Sequence, residues 1–200
     1  MPRTSPASTG QATGRTEAQH RLAAILWDHL QASEDSSGKR LPSSGIALGI
    51  ELVHDALGRP YLLSGGCRRS SVSFSEGGGK LWAALCGEEA DVGIDAAASD
   101  EFPETYPFHR VFHGDELHHA LRSAGGDLGK AAALLWSIKE AVVKAFGCGF
   151  HGVDPLHITI HPGVGDHDGR AFLVGLSQKA LRRLPEAAAR PLWVRAFPQE

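Results

Sequence analysis

Long apolar runs and excess positive charge are both absent from this chain of 200 residues. No stretch approaches the ~20 apolar residues that a membrane-spanning helix requires, and residues 1–18 contain no apolar core of a signal peptide. The net charge of −3 argues against nucleic-acid binding, which usually requires a basic patch. We therefore expect neither a membrane nor a nucleic-acid partner, and we predict that residues 1–18, rich in Ser, Thr, Gly and Pro, form a disordered leader.

Cysteine is also scarce, and the three that occur are Cys67, Cys86 and Cys148. Their odd number and wide spacing, without a C-x-x-C pair, argue against a disulfide framework and against a zinc site. A reducing cytosol is the simplest setting for such a chain, so we expect a cytoplasmic location. A hydrophobic content of 42% and a charged content of 22% are those of a globular protein with a substantial core.

Helical and strand periodicities alternate twice along the chain. The first half predicts a helix over 17–31 and strands over 46–53, 71–75, 81–86 and 92–95. The second half predicts helices over 114–123, 128–146 and 178–184, with strands over 157–160, 171–176 and 192–197. This order predicts an α+β fold with an N-terminal half, 19–90, and a C-terminal half, 91–200.

The long predicted helix contains the segment Trp136–Lys144, in which one carboxylate lies between two lysines. Glu140 and Lys144 are one turn apart and opposite the apolar face. Their simplest interpretation is a solvent-exposed ion pair that contributes ~0.2–0.5 kcal/mol. Lys139 falls at the edge of the apolar face, where a lysine usually extends its ammonium group to water. Trp136 is by default a core aromatic.

A second informative segment, Gly93-Ile94-Asp95, ends a predicted strand with an aspartate. Such an aspartate is most often a turn residue or a helix N-cap. Paired with Glu140, however, Asp95 offers carboxylate oxygens to a hard cation such as Mg²⁺, which uses few protein ligands and retains water and substrate phosphates. The combination of the two segments favours a divalent-metal and pyrophosphate site.

These segments resemble two motifs of the 4′-phosphopantetheinyl transferases, specifically the single-chain type similar to the surfactin-synthetase activator. The family pattern G-[IV]-D is present as Gly93–Asp95, and the pattern W-[SA]-x-K-E-x-x-x-K is present as Trp136–Lys144. The second motif is the more specific one. Weaker similarities to family motifs occur at His20-Arg21, Gly58-Arg59-Pro60, Val72–Ser75 and Arg110-x-Phe112 with Glu116.

The resemblance implies a pseudo-dimer of two similar α+β halves, with coenzyme A as co-substrate in the cleft between them. It also implies Mg²⁺ as the cofactor, with Mn²⁺ as an alternative. The reaction transfers the 4′-phosphopantetheine arm to a serine of an acyl or peptidyl carrier protein and releases adenosine 3′,5′-bisphosphate. Because both halves of the cleft come from one chain, we expect a monomer.

The resemblance assigns roles to individual residues as well. Asp95 and Glu140 would bind the metal, and Glu140 would accept the proton of the incoming serine. Lys144 would neutralise charge on the pyrophosphate, which makes it the third catalytic residue. The residues implied in binding coenzyme A are Arg59 at the 3′-phosphate, Ser75 at a phosphate oxygen, Lys144 at the pyrophosphate, and Arg21, Glu76 and Lys139.

Two positions depart from the family pattern. Ala97 stands where many members have a further acidic residue, and Glu76 stands where the family usually has a phosphate-contacting histidine. A carboxylate repels a phosphate unless a cation intervenes, so Lys80 or the amides of Gly77–Gly79 are alternative phosphate contacts. The alternative function is that of a catalytically degenerate family member, which binds a carrier protein or a nucleotide without transferring anything.

Overall fold

The computed structural model describes residues 8–34, 50–56, 58–64, 67–87, 90–162, 171–189 and 191–197. The α-helices are α1 (Ser8–Glu34), α2 (Gly114–Ser123), α3 (Leu128–Ala145), α4 (Gly149–Gly152) and α5 (Gln178–Leu181). The strands are β1 (Ile50–His54), β2 (Pro60–Ser64), β3 (Cys67–Gly77), β4 (Lys80–Leu85), β5 (Ile158–Pro162), β6 (Ala171–Leu176) and β7 (Leu192–Arg195). This mixture of helices and antiparallel strands agrees with the predicted α+β class. Among the described helices, none is both long and apolar enough to cross a membrane.

The chain divides into two compact units. The first consists of the described residues of Met1–Phe74 and Ala83–Val92, and the second of those of Ser75–Trp82 and Gly93–Glu200. The hairpin residues 75–82 belong to the second unit, and the predicted halves over 19–90 and 91–200 stay predictions. The pseudo-dimeric arrangement and its cleft stay predictions.

The first unit combines helix α1 with β1, β2 and the parts of β3 and β4 outside residues 75–82. The sheet has the order β1-β2-β3-β4, and its first two pairings are antiparallel. Helix α1 begins at Ser8, before the predicted start at residue 17, so residues 8–18 of the predicted disordered leader are helical. Residues 1–7 of the predicted leader lie outside the described ranges. The buried core of this unit is Ala23, Trp27, Leu52, Leu62 and Val72.

The second unit is organised around helix α3, which packs against α2 and against the antiparallel sheet β5-β6-β7. The helix starts after Asp127, whose carboxylate accepts the Lys130 amide at 2.9 Å, and it ends before Gly147, whose φ is +68°. These two signals make the predicted bounds of α3 accurate to one residue. Its buried face contributes Ala131, Leu135, Ile138, Val142 and Val143 to the core.

The predicted strand over 92–95 is wrong, since this segment is irregular and pairs with no strand. Its alternation of apolar and polar residues is strand-like, but its backbone lies directly against helix α3. A Cβ atom on Gly93 would lie 1.8 Å from the Ala141 carbonyl oxygen. Only glycine fits at this contact, because any side chain would collide with the helix backbone. The predicted helix over 178–184 is also shorter and ends at Leu181.

Candidate active site on helix α3

Three side chains of the second unit meet beside helix α3. Lys144 Nζ donates to Asp95 Oδ1 at 2.5 Å and to Ser75 Oγ at 3.3 Å. The Ser75 hydroxyl donates to Asp95 Oδ1 at 2.8 Å and accepts the Ala96 amide at 3.2 Å. The Asp95 side chain is only 8% exposed, so this ion pair is largely shielded from solvent. The structure thus brings together residues from the end of β3, the segment after β4, and the last turn of α3.

This arrangement replaces the surface ion pair that helical spacing suggests. Lys144 forms its salt bridge with Asp95 rather than with Glu140, one turn earlier on the same helix. The reason is tertiary, because the close approach of Gly93 to Ala141 places Asp95 within reach of the end of α3. A partly buried pair between separate segments is stronger than an exposed pair within one helix.

Glu140 is half-buried on α3 near the Asp95–Lys144 pair. Burial raises the pKa of the Glu140 carboxyl, and the negative charge of Asp95 raises it further, while the Lys144 ammonium group opposes the shift. A carboxylate whose pKa is raised accepts a proton more readily than an ordinary surface glutamate does. Glu140 therefore has the electrostatic environment of a general base.

Lys139 is fully buried, so the prediction that its ammonium group extends to water is wrong. Its ammonium group donates to Glu116 Oε1 at 2.5 Å, to the Val111 carbonyl at 2.8 Å and to the Pro155 carbonyl at 3.0 Å. The side chain of Glu116, 1% exposed, also accepts the Ile160 amide at 3.1 Å. Burial lowers the pKa of Lys139, and the Glu116 carboxylate opposes that shift. This pair joins α2, α3 and β5 and fixes the helix that carries Glu140.

The other predicted ligand-binding residues have separate surroundings. Arg59, in the first unit, forms an ion pair with Asp91 and donates to Ser71 Oγ at 2.9 Å. Arg21 is exposed on α1 and pairs with Glu17 at 2.9 Å. Glu76 is exposed at the end of β3. The roles of all three towards coenzyme A stay predictions.

The two carboxylates of the candidate site fit the chemistry of a hard divalent cation. Within the described ranges, no group of three or more His, Cys, Asp or Glu side chains is placed to hold a metal. Mg²⁺ does not need such a group, because it commonly binds one or two carboxylates and completes its octahedron with water and phosphate oxygens. Asp95 and Glu140 are close enough to repel each other, which is the situation that a shared cation relieves.

A family model matches part of the chain. Residues 91–185 match the family model of the 4′-phosphopantetheinyl transferase superfamily, a little under half of the chain. The matched stretch contains Asp95, Lys139, Glu140 and Lys144. No curated protein matches the chain. Members of this superfamily generally use coenzyme A and a divalent metal and act on carrier proteins, so the match supports phosphopantetheine transfer in general.

Gly93 and Glu116 are motif positions whose structural roles the sequence does not reveal. For Gly93 the contact with the Ala141 carbonyl is a tertiary feature that no local pattern reveals. For Glu116 a signal did exist. A lysine beside an apolar helix face requires a buried acceptor if it does not reach water, and Glu116 lies on the neighbouring helix, which is also amphipathic.

Proposed function

We propose that the chain transfers the 4′-phosphopantetheine arm of coenzyme A to a serine of an acyl or peptidyl carrier protein, with Mg²⁺ as cofactor and adenosine 3′,5′-bisphosphate as the released product. The single observation that carries this proposal is the convergence of Asp95, Glu140 and Lys144 within the stretch that matches the superfamily. The single-chain subtype, the pseudo-dimer with its cleft, the monomeric state and the contacts of Arg59, Arg21 and Glu76 with coenzyme A belong to the same proposal.

The chemistry follows from the charges in the site. The serine oxygen forms a bond to the β-phosphorus of coenzyme A, and the bond from that phosphorus to the bridging oxygen of the pyrophosphate breaks. Glu140 accepts the serine proton, for which its raised pKa suits it. Bound Mg²⁺ supplies charge neutralisation at the pyrophosphate. Lys144 stabilises the negative charge that develops on the leaving phosphate, and to do so its ammonium group exchanges Asp95 for a phosphate oxygen.

The decisive test is transfer of a fluorescent pantetheine arm. The wild-type protein is incubated with fluorescent coenzyme A, Mg²⁺ and several apo carrier proteins, and label on the carriers is measured in a gel. We expect Glu140→Gln and Asp95→Asn to abolish labelling, because each removes a charge from the metal site. The exposed Glu104→Gln is the matched control and should label at the wild-type rate. Absence of label with every carrier, where a known transferase labels them all, would refute the proposal.

A second candidate is a degenerate member that binds without transferring. Ala97 and Glu76, at the two positions that depart from the family pattern, favour it. Calorimetry separates the two functions, since an enzyme binds coenzyme A in a Mg²⁺-dependent manner. A pure interaction module binds the carrier protein and shows no Mg²⁺-dependent heat with coenzyme A.

A further inference from the structure

The end of the β3–β4 hairpin, residues 75–82, lies in the second unit together with the segment that carries Asp95. At this end Gly77 contacts the backbone of Ala96. A Cβ atom on Gly77 would lie 2.7 Å from the Ala96 carbonyl oxygen and 2.8 Å from the Ala96 Cβ atom. The φ of Gly77 is outside the left-handed region, so lack of space rather than backbone conformation requires glycine here. The residue next to Asp95 thus lies directly against the hairpin.

Ser75 fixes the same segment from a position two residues earlier on β3. Its hydroxyl donates to Asp95 Oδ1 at 2.8 Å and accepts the Ala96 amide at 3.2 Å, and its side chain is buried. Residues i and i+2 of a strand point to the same face, so Ser75 and Gly77 present one face of the hairpin to residues 95–96. The two bonds of Ser75 depend on the contact at Gly77, because a side chain there would push Ala96 away and lengthen both of them.

The turn and the second arm of the hairpin fix Gly77 in turn. Gly78 and Gly79 both have positive φ, +59° and +70°, which is the signature of a type I′ turn and gives the two-residue loop a defined conformation. Trp82 on β4 is half-buried, and its Nε1 donates to the Gly77 carbonyl oxygen at 3.2 Å. The Trp82 indole therefore joins the two arms at the residue that contacts Ala96.

We infer that the hairpin end positions the Asp95 carboxylate, with Gly77 and Trp82 as positioning residues that act through Asp95. The segment is held at two points, by the hairpin at Ala96 and by helix α3 at Gly93. A carboxylate that is already held in place loses little conformational freedom when it binds a cation, which lowers the cost of binding. The inference rests on the proposed function only in taking Asp95 as a metal ligand.

The first measurement is hydrogen exchange by mass spectrometry on the protein without metal or coenzyme A. We expect Gly77→Ala to speed exchange of the amides of residues 93–97 at least about tenfold, because a displaced Ala96 loses its bond to Ser75. Exchange in the middle of helix α3 should stay at the wild-type rate. Gly114→Ala is the matched control, since a Cβ atom there meets nothing within 4 Å, and it should leave exchange of residues 93–97 unchanged.

The second measurement is the affinity for Mn²⁺ alone, obtained from the EPR signal of the free ion. We expect Gly77→Ala to weaken Mn²⁺ binding by about 10–100-fold, as loss of residues that orient a metal ligand generally does. Trp82→Phe keeps an aromatic ring and removes the indole N–H, so it should shift both measurements in the same direction by a smaller amount. This second variant tests the inference even where Gly77→Ala does not fold.

Wild-type exchange of residues 93–97 in both hairpin variants would overturn the inference. Faster exchange throughout the second unit with unchanged Mn²⁺ affinity would also overturn it, since the hairpin would then contribute only to packing. Failure of the proposed function gives a different result, because the wild-type protein would then bind no Mn²⁺ or Asp95→Asn would bind it equally tightly. The exchange measurement contains neither metal nor carrier protein, so its outcome is independent of the labelling test.

Discussion

At the scale of single residues, Glu140 occupies an environment that opposes its own ionisation. Burial and the charge of Asp95 both raise the pKa of its carboxyl, and Lys144 only partly compensates. Functional carboxylates are often held in this way, at a cost to stability. This cost depends on pH. The free energy of unfolding changes with pH only where the folded and unfolded chains bind different numbers of protons.

We predict that Glu140→Gln stabilises the metal-free protein at pH 7, as measured by urea unfolding in the presence of EDTA. Above the ordinary carboxyl pKa of 4.5 and below the raised pKa, the folded chain retains a proton that the unfolded chain releases. The stabilising contribution of Glu140 is therefore complete at acid pH and is lost as pH rises through the raised pKa. Glu140→Gln has no carboxyl group at this position and does not lose this contribution. The difference in free energy of unfolding between the variant and the wild type should therefore shrink as pH falls towards the ordinary carboxyl pKa of 4.5.

The exposed Glu104→Gln is the control and should leave the unfolding midpoint unchanged at both pH values. A lower midpoint for Glu140→Gln than for wild type at pH 7 would contradict the prediction. Such a result would mean that attraction to Lys144 outweighs burial and the repulsion from Asp95.

At the scale of elements, the contact between the Gly93 segment and helix α3 determines where Asp95 lies. Local pattern predicted α2 and α3 accurately, because their caps and apolar periodicity are strong and local. It failed at 92–95, where the conformation depends on a helix some forty residues further along the chain. The identity of Asp95 as a candidate ligand was accessible from its motif, whereas its pairing with Lys144 required the packed structure.

We predict that Gly93→Ala destabilises the protein and abolishes labelling of carrier proteins. A Cβ atom would lie 1.8 Å from the Ala141 carbonyl oxygen and 2.7 Å from the Ala145 amide nitrogen, so the segment must move away from the helix. Overpacking of this kind typically costs ~1–3 kcal/mol, and the movement would separate Asp95 from Lys144. Urea unfolding and the fluorescent coenzyme A assay measure the two effects.

Gly114→Ala is the matched control for Gly93→Ala, since a Cβ atom there meets nothing within 4 Å. It lies in the first turn of α2 and should be neutral or slightly stabilising, because alanine favours the helix by ~0.5–1 kcal/mol. Wild-type labelling by Gly93→Ala would show that the close approach to α3 is unnecessary for the site.

The second link between elements is the buried Lys139–Glu116 pair. We predict that Lys139→Met destabilises the protein by ~3–5 kcal/mol, because it leaves the Glu116 carboxylate buried without its cation. The double variant Lys139→Met/Glu116→Gln should recover part of that loss, because it removes the buried charge. Its one amide oxygen can accept from either the His113 amide or the Ile160 amide, which bond to different oxygens of Glu116, so the recovery should be incomplete. Urea unfolding of both variants measures the difference.

The exposed Lys130→Met is the control for the loss of a lysine from α3 and should change stability little. Equal destabilisation of the single and double Lys139 variants would show that the charge of Glu116 is not what makes Lys139→Met costly. We expect this pair to position α3 rather than to contact a substrate. Urea unfolding measures its contribution to the stability of the folded chain.

At the scale of the whole molecule, the proposed function predicts stabilisation by its co-substrate. Coenzyme A at about 100 times its Kd should add ~2.7 kcal/mol to the folded state. For a chain of 200 residues this corresponds to an increase in Tm of about 5–10 °C. We expect the increase with Mg²⁺ present and a much smaller one with EDTA, as measured by differential scanning fluorimetry.

Asp95→Asn provides the control, because its Tm with coenzyme A should be insensitive to Mg²⁺. An unchanged Tm of the wild-type protein with coenzyme A and Mg²⁺ would contradict the proposed use of both. A rise in Tm with coenzyme A that is the same in Mg²⁺ and in EDTA would instead favour the second candidate, a module that binds without a metal.

The sequence by itself determined the α+β class, the bounds of α2 and α3, and the residue types of the candidate site, because periodicity, caps and motif spacing are local properties. Only the tertiary structure decided which of these residues touch. It moved Lys144 from Glu140 to Asp95 and placed Lys139 in the core with Glu116. The physical reason is that burial and ion pairing between distant segments depend on packing, which no local pattern contains.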